Sequence, residues 1–259
     1  MSHSLSSKIG RLLVGLVILP WALTVAGRPQ LATTGAGKTG SGGGAPLSPP
    51  SPVWVQGTQA FDGTQTNSSI TATYSSNNTA GDMLVAAVTI YPAATASISG
   101  LSDSAGNSWT AVAPAQTIST LSGRSMQVFI VPSCVVGANT VTLTASAASA
   151  LWLTIHEYSG FSGVAYTSAF TSGTASSTTI TSASVTSTVA NSLLFAVSFA
   201  YGGPTTQGSG FTLREQCGDS GAQEVATEDA VESATGSYTA SFTNGNGSEG
   251  YGIWAVMIA

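Results

Sequence analysis

Hydrophobic and polar residues alternate with a period of two along two consecutive stretches between Asn139 and Gly160. The apolar positions are 141, 143 and 145 in the first stretch and 151, 153 and 155 in the second. Such alternation is typical of strands with one face against a core, so it predicts a β-hairpin. On its other face the second strand carries Trp152, Thr154, His156 and Tyr158 rather than charges, which predicts a central position in its sheet.

Similar short runs, separated by Gly, Asn, Ser and Pro turn signals, continue along the chain, and no helical pattern exceeds two turns. About thirteen strands in this spacing predict an all-β fold, an antiparallel two-sheet β-sandwich or jelly roll. Besides the hairpin, the predicted strands are Val53–Gln56, Ile70–Tyr74, Met83–Tyr91, Ser97–Leu101, Trp109–Ala113, Met126–Val131, Thr179–Val185, Leu193–Tyr201, Phe211–Glu215, Ala222–Thr227, Tyr238–Phe242 and Gly252–Ile258.

Two of these runs resemble each other in sequence. Met83–Ala87 and Leu193–Val197 are nearly continuous in apolar residues, and each follows a turn sequence. Strands of this kind are covered on both faces. We therefore expect them to be equivalent central strands in two halves of one sandwich.

The chain before the first strand has a different composition. Residues 1–27 combine Lys8 and Arg11 with an apolar run and a small-residue cleavage pattern, which predicts a signal peptide; the alternative is a membrane anchor. Residues 28–52 are rich in Gly, Ser and Pro and predict a flexible linker. Residues 53–259 are then a single β-sandwich domain, secreted or at the cell surface, with no stable membrane span in the mature form.

Charge is scarce and segregated. Only 7% of the residues are charged, and from residue 53 onward Arg124 and Arg214 oppose eleven carboxylates, a formal charge of −9. Phosphate backbones repel a body of this charge, which argues against nucleic acid as a partner.

Four short motifs carry a resemblance. They are an Asp-x-x-Gly-Asn-x-Trp turn from Asp103 to Trp109, a Gly-x-Asn-Thr-Val strand start at Gly137, a Glu-Tyr-Ser-Gly strand end at Glu157, and Asn191-Ser-Leu-Leu-Phe. In this order they resemble a group of secreted bacterial jelly-roll or β-sandwich surface domains of adhesin-like character. The resemblance covers nearly the whole domain and implies a jelly-roll fold and export, but no reaction.

His156 and Glu157 are the candidates for catalysis. His156 is the one histidine after residue 3. The sequence contains no Gly-x-Ser-x-Gly turn that would present a nucleophilic serine to this histidine. Glu157 falls on the apolar face of its strand, where an ionised carboxylate needs partners. We expect it to cap the amides of a neighbouring loop or to pair with Arg124 or Arg214; the alternative is a glycosidase-like general acid that needs a second carboxylate.

Trp152, His156 and Tyr158 share one strand face, and an exposed aromatic stripe can stack on sugar rings. They are the candidate ligand-binding residues, with core packing as the alternative. No cofactor is predicted apart from calcium, for which the candidate ligands are Asp219 and Glu224, in the densest acidic region, and Asp103 and Asn107, in a polar turn. A turn held by its own side chains is the alternative at Asp103.

Cys134 and Cys217 are the two cysteines of the chain. Export favours a disulfide between them, and two buried thiols are the alternative.

These observations together predict a non-catalytic secreted or cell-surface module with a structural or adhesive role. The alternatives are a carbohydrate-binding module built on Trp152 and Tyr158, a self-associating filament or coat subunit, and a hydrolase centred on Glu157. The expected partner is a polysaccharide or a component of the cell surface.

Overall fold

The computed structural model describes residues 50–92, 94–121, 123–161, 164–175, 177–202, 205–219, 223–245, 247 and 249–259. These residues belong to one compact unit. The predicted signal peptide and the predicted linker up to residue 49 lie outside the described residues.

The fold is all-β, as predicted, and the described residues contain no helix. All strand pairs are antiparallel. The strands are β1 (Val53–Asp62), β2 (Ser69–Thr73), β3 (Met83–Tyr91), β4 (Ile98–Asp103), β5 (Thr110–Ala111), β6 (Gln116–Thr117), β7 (Ser125–Val131), β8 (Thr140–Ala145), β9 (Ala150–Ser159), β10 (Tyr166–Thr174), β11 (Thr179–Thr181), β12 (Val185–Ser187), β13 (Ser192–Tyr201), β14 (Thr205–Gln207), β15 (Thr212–Asp219), β16 (Gln223–Glu232), β17 (Gly236–Tyr238), β18 (Ser241–Asn244) and β19 (Gly250–Ile258).

Two large sheets form the centre of the molecule. The first sheet has the order β1-β9-β3-β7-β5, with β6 also paired to β7, and the second sheet has the order β10-β19-β13-β16-β15. Three small sheets complete the fold: β2-β8-β4, β11-β18-β14 and β12-β17.

The sheets stack in four layers around three hydrophobic cores. A central core lies between the two large sheets and contains Trp152, Phe195 and Trp254. One outer core lies between the first sheet and β2-β8-β4, and the other lies between the second sheet and the two remaining small sheets. The described residues form nineteen strands in five sheets, instead of the two sheets and about thirteen strands that were predicted.

The predicted hairpin between residues 139 and 160 is wrong in its pairing. β8 pairs with β2 and β4, whereas β9 pairs with β1 and β3. The alternation was interpreted correctly in one respect, because the apolar faces of both strands enter the same outer core. They enter it from opposite layers. The central position predicted for the second strand is confirmed.

Strand order repeats between the two halves of the chain. In each large sheet the first strand of the half, β1 or β10, pairs with the last, β9 or β19. The last strand then pairs with β3 or β13, the two runs that echo each other in sequence. Both runs are central and buried on both faces, as their apolar composition predicted.

The lateral edges of the two large sheets meet on both sides of the central core. On one side β1 lies against β15. On the other side the loop after β6 reaches β10, where the Thr120 hydroxyl donates to the carbonyl of Gly173 at 2.7 Å. The polar side chains of Arg214 and Glu215, both on β15, lie on the β1–β15 side.

Successive leucines on β13 allow a test of the four layers. Leu193 faces the central core and Leu194 faces an outer core. We predict that Leu193→Ala and Leu194→Ala each lower the free energy of unfolding by roughly 2–5 kcal/mol, because each leaves a cavity in a packed core.

Equilibrium unfolding in urea provides the measurement. Val231→Ala is the matched control, because Val231 pairs with Leu193 across the strands but is exposed, and its change should stay within about 0.5 kcal/mol. A large loss from only one of the two leucine variants would contradict the four-layer arrangement.

Candidate functional site

The predicted aromatic platform on β9 is wrong. Trp152, His156 and Tyr158 do share one face of the strand, but that face is turned to the central core and each side chain is at most 1% exposed. The indole of Trp152 packs against Phe61 and Phe199, with ring centroids 5.1 and 5.2 Å apart. The second sheet covers the face that the sequence alone left open, so these rings are core residues and cannot stack on a sugar.

His156 is a buried neutral imidazole. Its ring lies 5.3 Å from the ring of Phe195 and 6.3 Å from that of Tyr158. Burial, together with the positive charge of Arg214, lowers the pKa of His156 from 6.5 to about 3. Neither ring nitrogen has a hydrogen-bond partner among the described residues. The imidazole is thus packed between aromatic rings.

Two polar side chains lie close to the backbone of Gly57 on β1. A Cβ atom at this position would lie 3.0 Å from His156 Nδ1, 3.0 Å from Glu215 Oε1 and 3.0 Å from the carbonyl oxygen of Ile155. Glu215 is half-buried, and burial raises the pKa of its carboxyl. A side chain at position 57 would displace at least one of these groups, which is a close-approach role that suits glycine.

An ion pair continues the polar region beside His156. Arg214 donates from Nε to Asp229 Oδ2 at 2.7 Å and from Nη2 to Asp229 Oδ1 at 2.9 Å. The hydroxyl of Tyr158 donates to Asp229 Oδ2 at 2.7 Å, and the guanidinium lies 4.8 Å from the ring centroid of Trp54. We call Trp54, His156, Tyr158, Arg214, Glu215 and Asp229 the inter-sheet cluster.

Glu157 points away from the inter-sheet cluster, into the outer core, and is fully buried. Its carboxylate accepts hydrogen bonds from the backbone N–H of Thr79 at 2.7 Å, from Asn78 Nδ2 at 2.8 Å and from Gln56 Nε2 at 2.6 Å. The prediction that Glu157 caps the amides of a neighbouring loop is confirmed.

A second carboxyl group does lie beside Glu157. Asp82 hydrogen-bonds to it, and burial and the charge of Glu157 raise the pKa of Asp82 to about 6. A glycosidase holds its two carboxyls roughly 5–10 Å apart, with the sugar or water between them. A directly hydrogen-bonded pair leaves no such space, so this geometry supports anchoring rather than glycoside hydrolysis.

Other buried or half-buried carboxylates anchor loops in the same way. Glu224 and Glu228 lie four residues apart on β16, and they accept the backbone N–H groups of Thr205 at 2.9 Å and Gly208 at 2.8 Å, respectively. Asp103 accepts from the backbone N–H of Asn107 at 2.9 Å. The few acidic residues of this chain are thus used largely to hold loop backbones.

The four candidate calcium ligands are not brought together. Asp103 and Asn107 lie in the outer layer of the first half, whereas Asp219 and Glu224 lie in the second sheet. Side-chain donors of Asn107, Trp109 and Asn139 already occupy the Asp103 carboxylate. Within the described ranges, no three His, Cys, Asp or Glu side chains are grouped so that they could hold a metal ion.

The predicted disulfide is also wrong, because Cys134 and Cys217 are both free thiols. Cys134 belongs to an outer core and Cys217 to the central core, so the first sheet lies between them. Burial raises the pKa of Cys134 to about 11 and that of Cys217 to about 12. Both are unreactive core residues.

An open groove begins beside the inter-sheet cluster, between β1 and β15, and we call it the edge groove. Its volume is about 650 Å³. Polar side chains of Gln59, Gln216 and Glu224 and the ring of Phe61 are among the groups that line it. The edge groove therefore combines hydrogen-bonding side chains with an aromatic ring.

Sequence reasoning missed the inter-sheet cluster and the edge groove. The sequence pattern assigns no role to Gly57 or to Glu215. The dense acidic stretch from Glu215 to Glu232 was the available signal, but it cannot show that β15 lies against β1.

Comparisons with known proteins add no family. The chain matches no family model, no curated protein and no solved structure. The likeness to secreted bacterial β-sandwich proteins therefore stays a prediction from the four motifs. Among the described residues, no helix has the length and apolar character to cross a membrane.

The buried histidine predicts an acid-sensitive fold. Its pKa is about 3 in the folded protein and about 6.5 when exposed, so the native state excludes a proton that the unfolded state binds. Stability from this group is complete above pH 6.5 and is lost as the pH falls towards 3. Relative to His156→Phe, the wild-type protein should lose roughly 3 kcal/mol between pH 7 and pH 4.

Urea unfolding of both proteins across this pH range measures the difference. The other charged and polar groups of the inter-sheet cluster are present in both proteins, so the comparison isolates the contribution of His156. Parallel stability curves would contradict the assignment of a depressed pKa to His156.

Glu228 predicts the opposite trend. Burial raises the pKa of its carboxyl from 4.5 to about 8, so the folded state retains a proton that the unfolded state releases. Stability from this group is present below pH 4.5 and is lost as the pH rises towards 8. Glu228→Gln keeps an oxygen to accept the Gly208 N–H and should remove roughly 3 kcal/mol of this alkaline loss between pH 5 and pH 8.

Thermal and urea unfolding at pH 5 and pH 8 give the comparison. Glu232→Gln is the control, because Glu232 lies at the end of the same strand and is only partly buried, whereas Glu228 is fully buried. Equal alkaline losses in the wild-type protein and in Glu228→Gln would show that Glu228 is ionised in the fold.

Proposed function

We propose that this protein is an exported, non-catalytic β-sandwich scaffold with a structural or adhesive role at the cell surface. The observation that carries the proposal is the use of the carboxylates. Glu157, Glu224 and Glu228 hold the backbone N–H groups of loops, and Asp229 is spent on Arg214 and Tyr158. Carboxyl groups arranged in this way, whether ionised or protonated, stabilise a fixed shape.

The inter-sheet cluster supports the same proposal. A general base needs access to a substrate proton and a pKa near the working pH. His156 is sealed between rings, and its pKa of about 3 makes it a poor proton acceptor at neutral pH. The cluster is better suited to joining two sheets than to proton transfer.

We further infer that each half of the chain is a jelly roll of its own. A jelly roll has eight strands in two sheets, connected as two Greek keys. In each half one sheet joins the first, last and central strands, and a small sheet, β2-β8-β4 or β11-β18-β14, lies over it. This order supports the motif resemblance and, with it, the expectation of export.

Purified protein coated on beads tests the proposed role. We expect the beads to adhere to cell surfaces or to a polysaccharide matrix, and we expect no turnover of polysaccharide or ester substrates. Adhesion should survive Glu157→Gln and His156→Gln in variants whose circular dichroism shows that they are folded. Hydrolysis that either variant abolishes would overturn the non-catalytic role.

Carbohydrate binding is the second candidate function, and the edge groove favours it. An aromatic ring beside carboxamides and a carboxylate is a typical surface for a neutral, hydroxyl-rich ligand, which stacks on the ring and shares hydrogen bonds. The ligand surface would then be formed by Phe61, Gln59 and Gln216 rather than by Trp152 and Tyr158.

Affinity electrophoresis against uncharged polysaccharides tests this candidate. Retardation should be lost in Gln59→Ala, which removes an exposed side chain of the groove, and kept in Thr71→Ala, a control on an exposed position of β2. Unchanged mobility of the wild-type protein in every polysaccharide would remove carbohydrate binding while leaving the scaffold proposal intact.

A further inference from the structure

Exposed apolar side chains gather at one end of the four-layer stack. We call this the proximal end: it is the end at which β1, β10 and β13 begin and β9, β16 and β19 finish. Strand register places these termini together, since Val53 pairs with Ser159 and Tyr166 pairs with Ile258. The bond between Tyr158 and Asp229 joins the two sheets at the same end.

All seven large hydrophobic side chains that are exposed among the described residues lie at or within three residues of the strand termini and loops of this end. They are Val53, Val55, Val135, Val136, Tyr166, Val189 and Val231. At the opposite end, where β1 and β15 finish and β19 begins, the chain carries Asp62, Asp219 and Glu249 instead. Apolar groups confined to one end of a body are typical of an interaction surface.

The proximal end has both a hollow and a projection. The hollow is a cavity of about 490 Å³ with an apolar lining that includes Pro52, Phe161, Val164 and Val189. The projection is the loop after β7, in which Val135 is 47% exposed and Val136 is 69% exposed. Three strand spacings, roughly 14 Å, separate β7 from β1 in the first sheet.

We propose that the proximal end docks onto the proximal end of a second copy of this chain. With a hollow and a projection on one face, a two-fold axis can seat the Val135–Val136 loop of each copy in the cavity of the other. Such a contact is isologous and closed, so it yields a dimer and no filament.

The area of the end is sufficient for a stable dimer. Three to five strands per layer at about 4.8 Å and four layers at about 10 Å give an end face of roughly 600–1,000 Å², against about 800 Å² per partner in a standard interface. Few charges lie at this end: Arg214 and Asp229 are paired with each other, Asp82 hydrogen-bonds to Glu157, and Glu232 at the end of β16 is partly buried.

Charge also distinguishes a second copy from other occupants. The domain carries a formal charge of −9, so two copies repel each other at long range. Added salt screens that repulsion and leaves apolar contact intact, so dimerisation should strengthen as NaCl is raised. A basic partner protein would show the opposite salt dependence.

Sedimentation velocity of the full chain between about 1 and 200 µM tests the proposal. We expect a monomer–dimer equilibrium that Val136→Asp weakens by at least about tenfold, since it would bury an unpaired charge. Ser68→Asp, which adds the same charge to an exposed position before β2, should leave the equilibrium unchanged. Urea unfolding verifies that both variants are folded.

A disulfide cross-link tests whether the Val135–Val136 loop of one copy enters the cavity of the other. Chains with Val136→Cys, mixed with chains with Val189→Cys, should form a disulfide between copies on mild oxidation, because the native thiols are buried. A full chain that stays monomeric at every concentration and salt would overturn the proposal. So would a dimer that Val136→Asp leaves intact, or a chain that dimerises only after residues 1–49 are removed, because that segment would then be the occupant.

Discussion

The face-to-face packing of the two large sheets is the constraint on which the rest of the structure depends. Each sheet is apolar on both faces, so neither can stand at the surface of a simple two-layer sandwich. One face of each sheet enters the central core and the other requires its own cover. The small sheets supply that cover, which explains why a chain of modest length forms four layers and three cores.

Several acidic residues of this protein stabilise loops by accepting hydrogen bonds from backbone N–H groups. Loops at the ends of long strands must satisfy backbone N–H groups away from water. Glu157 and Glu228 meet that need from fully buried positions, and the Asp229–Arg214 pair ties the second sheet to Tyr158 of the first. The polar interior of the protein is therefore an extension of its architecture.

Local patterns in the sequence predicted local features well. The alternation along β9 identified its buried apolar face, and the anomaly of Glu157 on that face identified a loop cap. Alternation does not say which layer covers a face, so β8 was paired with β9 although both enter one core from opposite sides. For the same reason Trp152 was assigned to an open surface. β10 was missed altogether, because Tyr166–Thr174 is rich in Ser, Thr and Gly and has no clear period.

The inter-sheet cluster could not be predicted for a related reason. Tyr158 and Asp229 are 71 residues apart, and Trp54 is farther still from Arg214. Their meeting depends on β1 and β15 being the edges that face each other, and this follows from the complete topology. Gly57 carries no side chain that could signal its role, which is visible only in what lies around it.

The position of β19 has a consequence for the order of events during synthesis. This strand is the last of the described strands to leave the ribosome, yet it lies in the interior of the second sheet, between β10 and β13. Until it arrives, β10 has no neighbour to pair with, and the first half has only an incomplete sheet to cover its central face. The first half therefore has all of its strands long before the second half can complete its large sheet, which must wait for the last described strand to be synthesised.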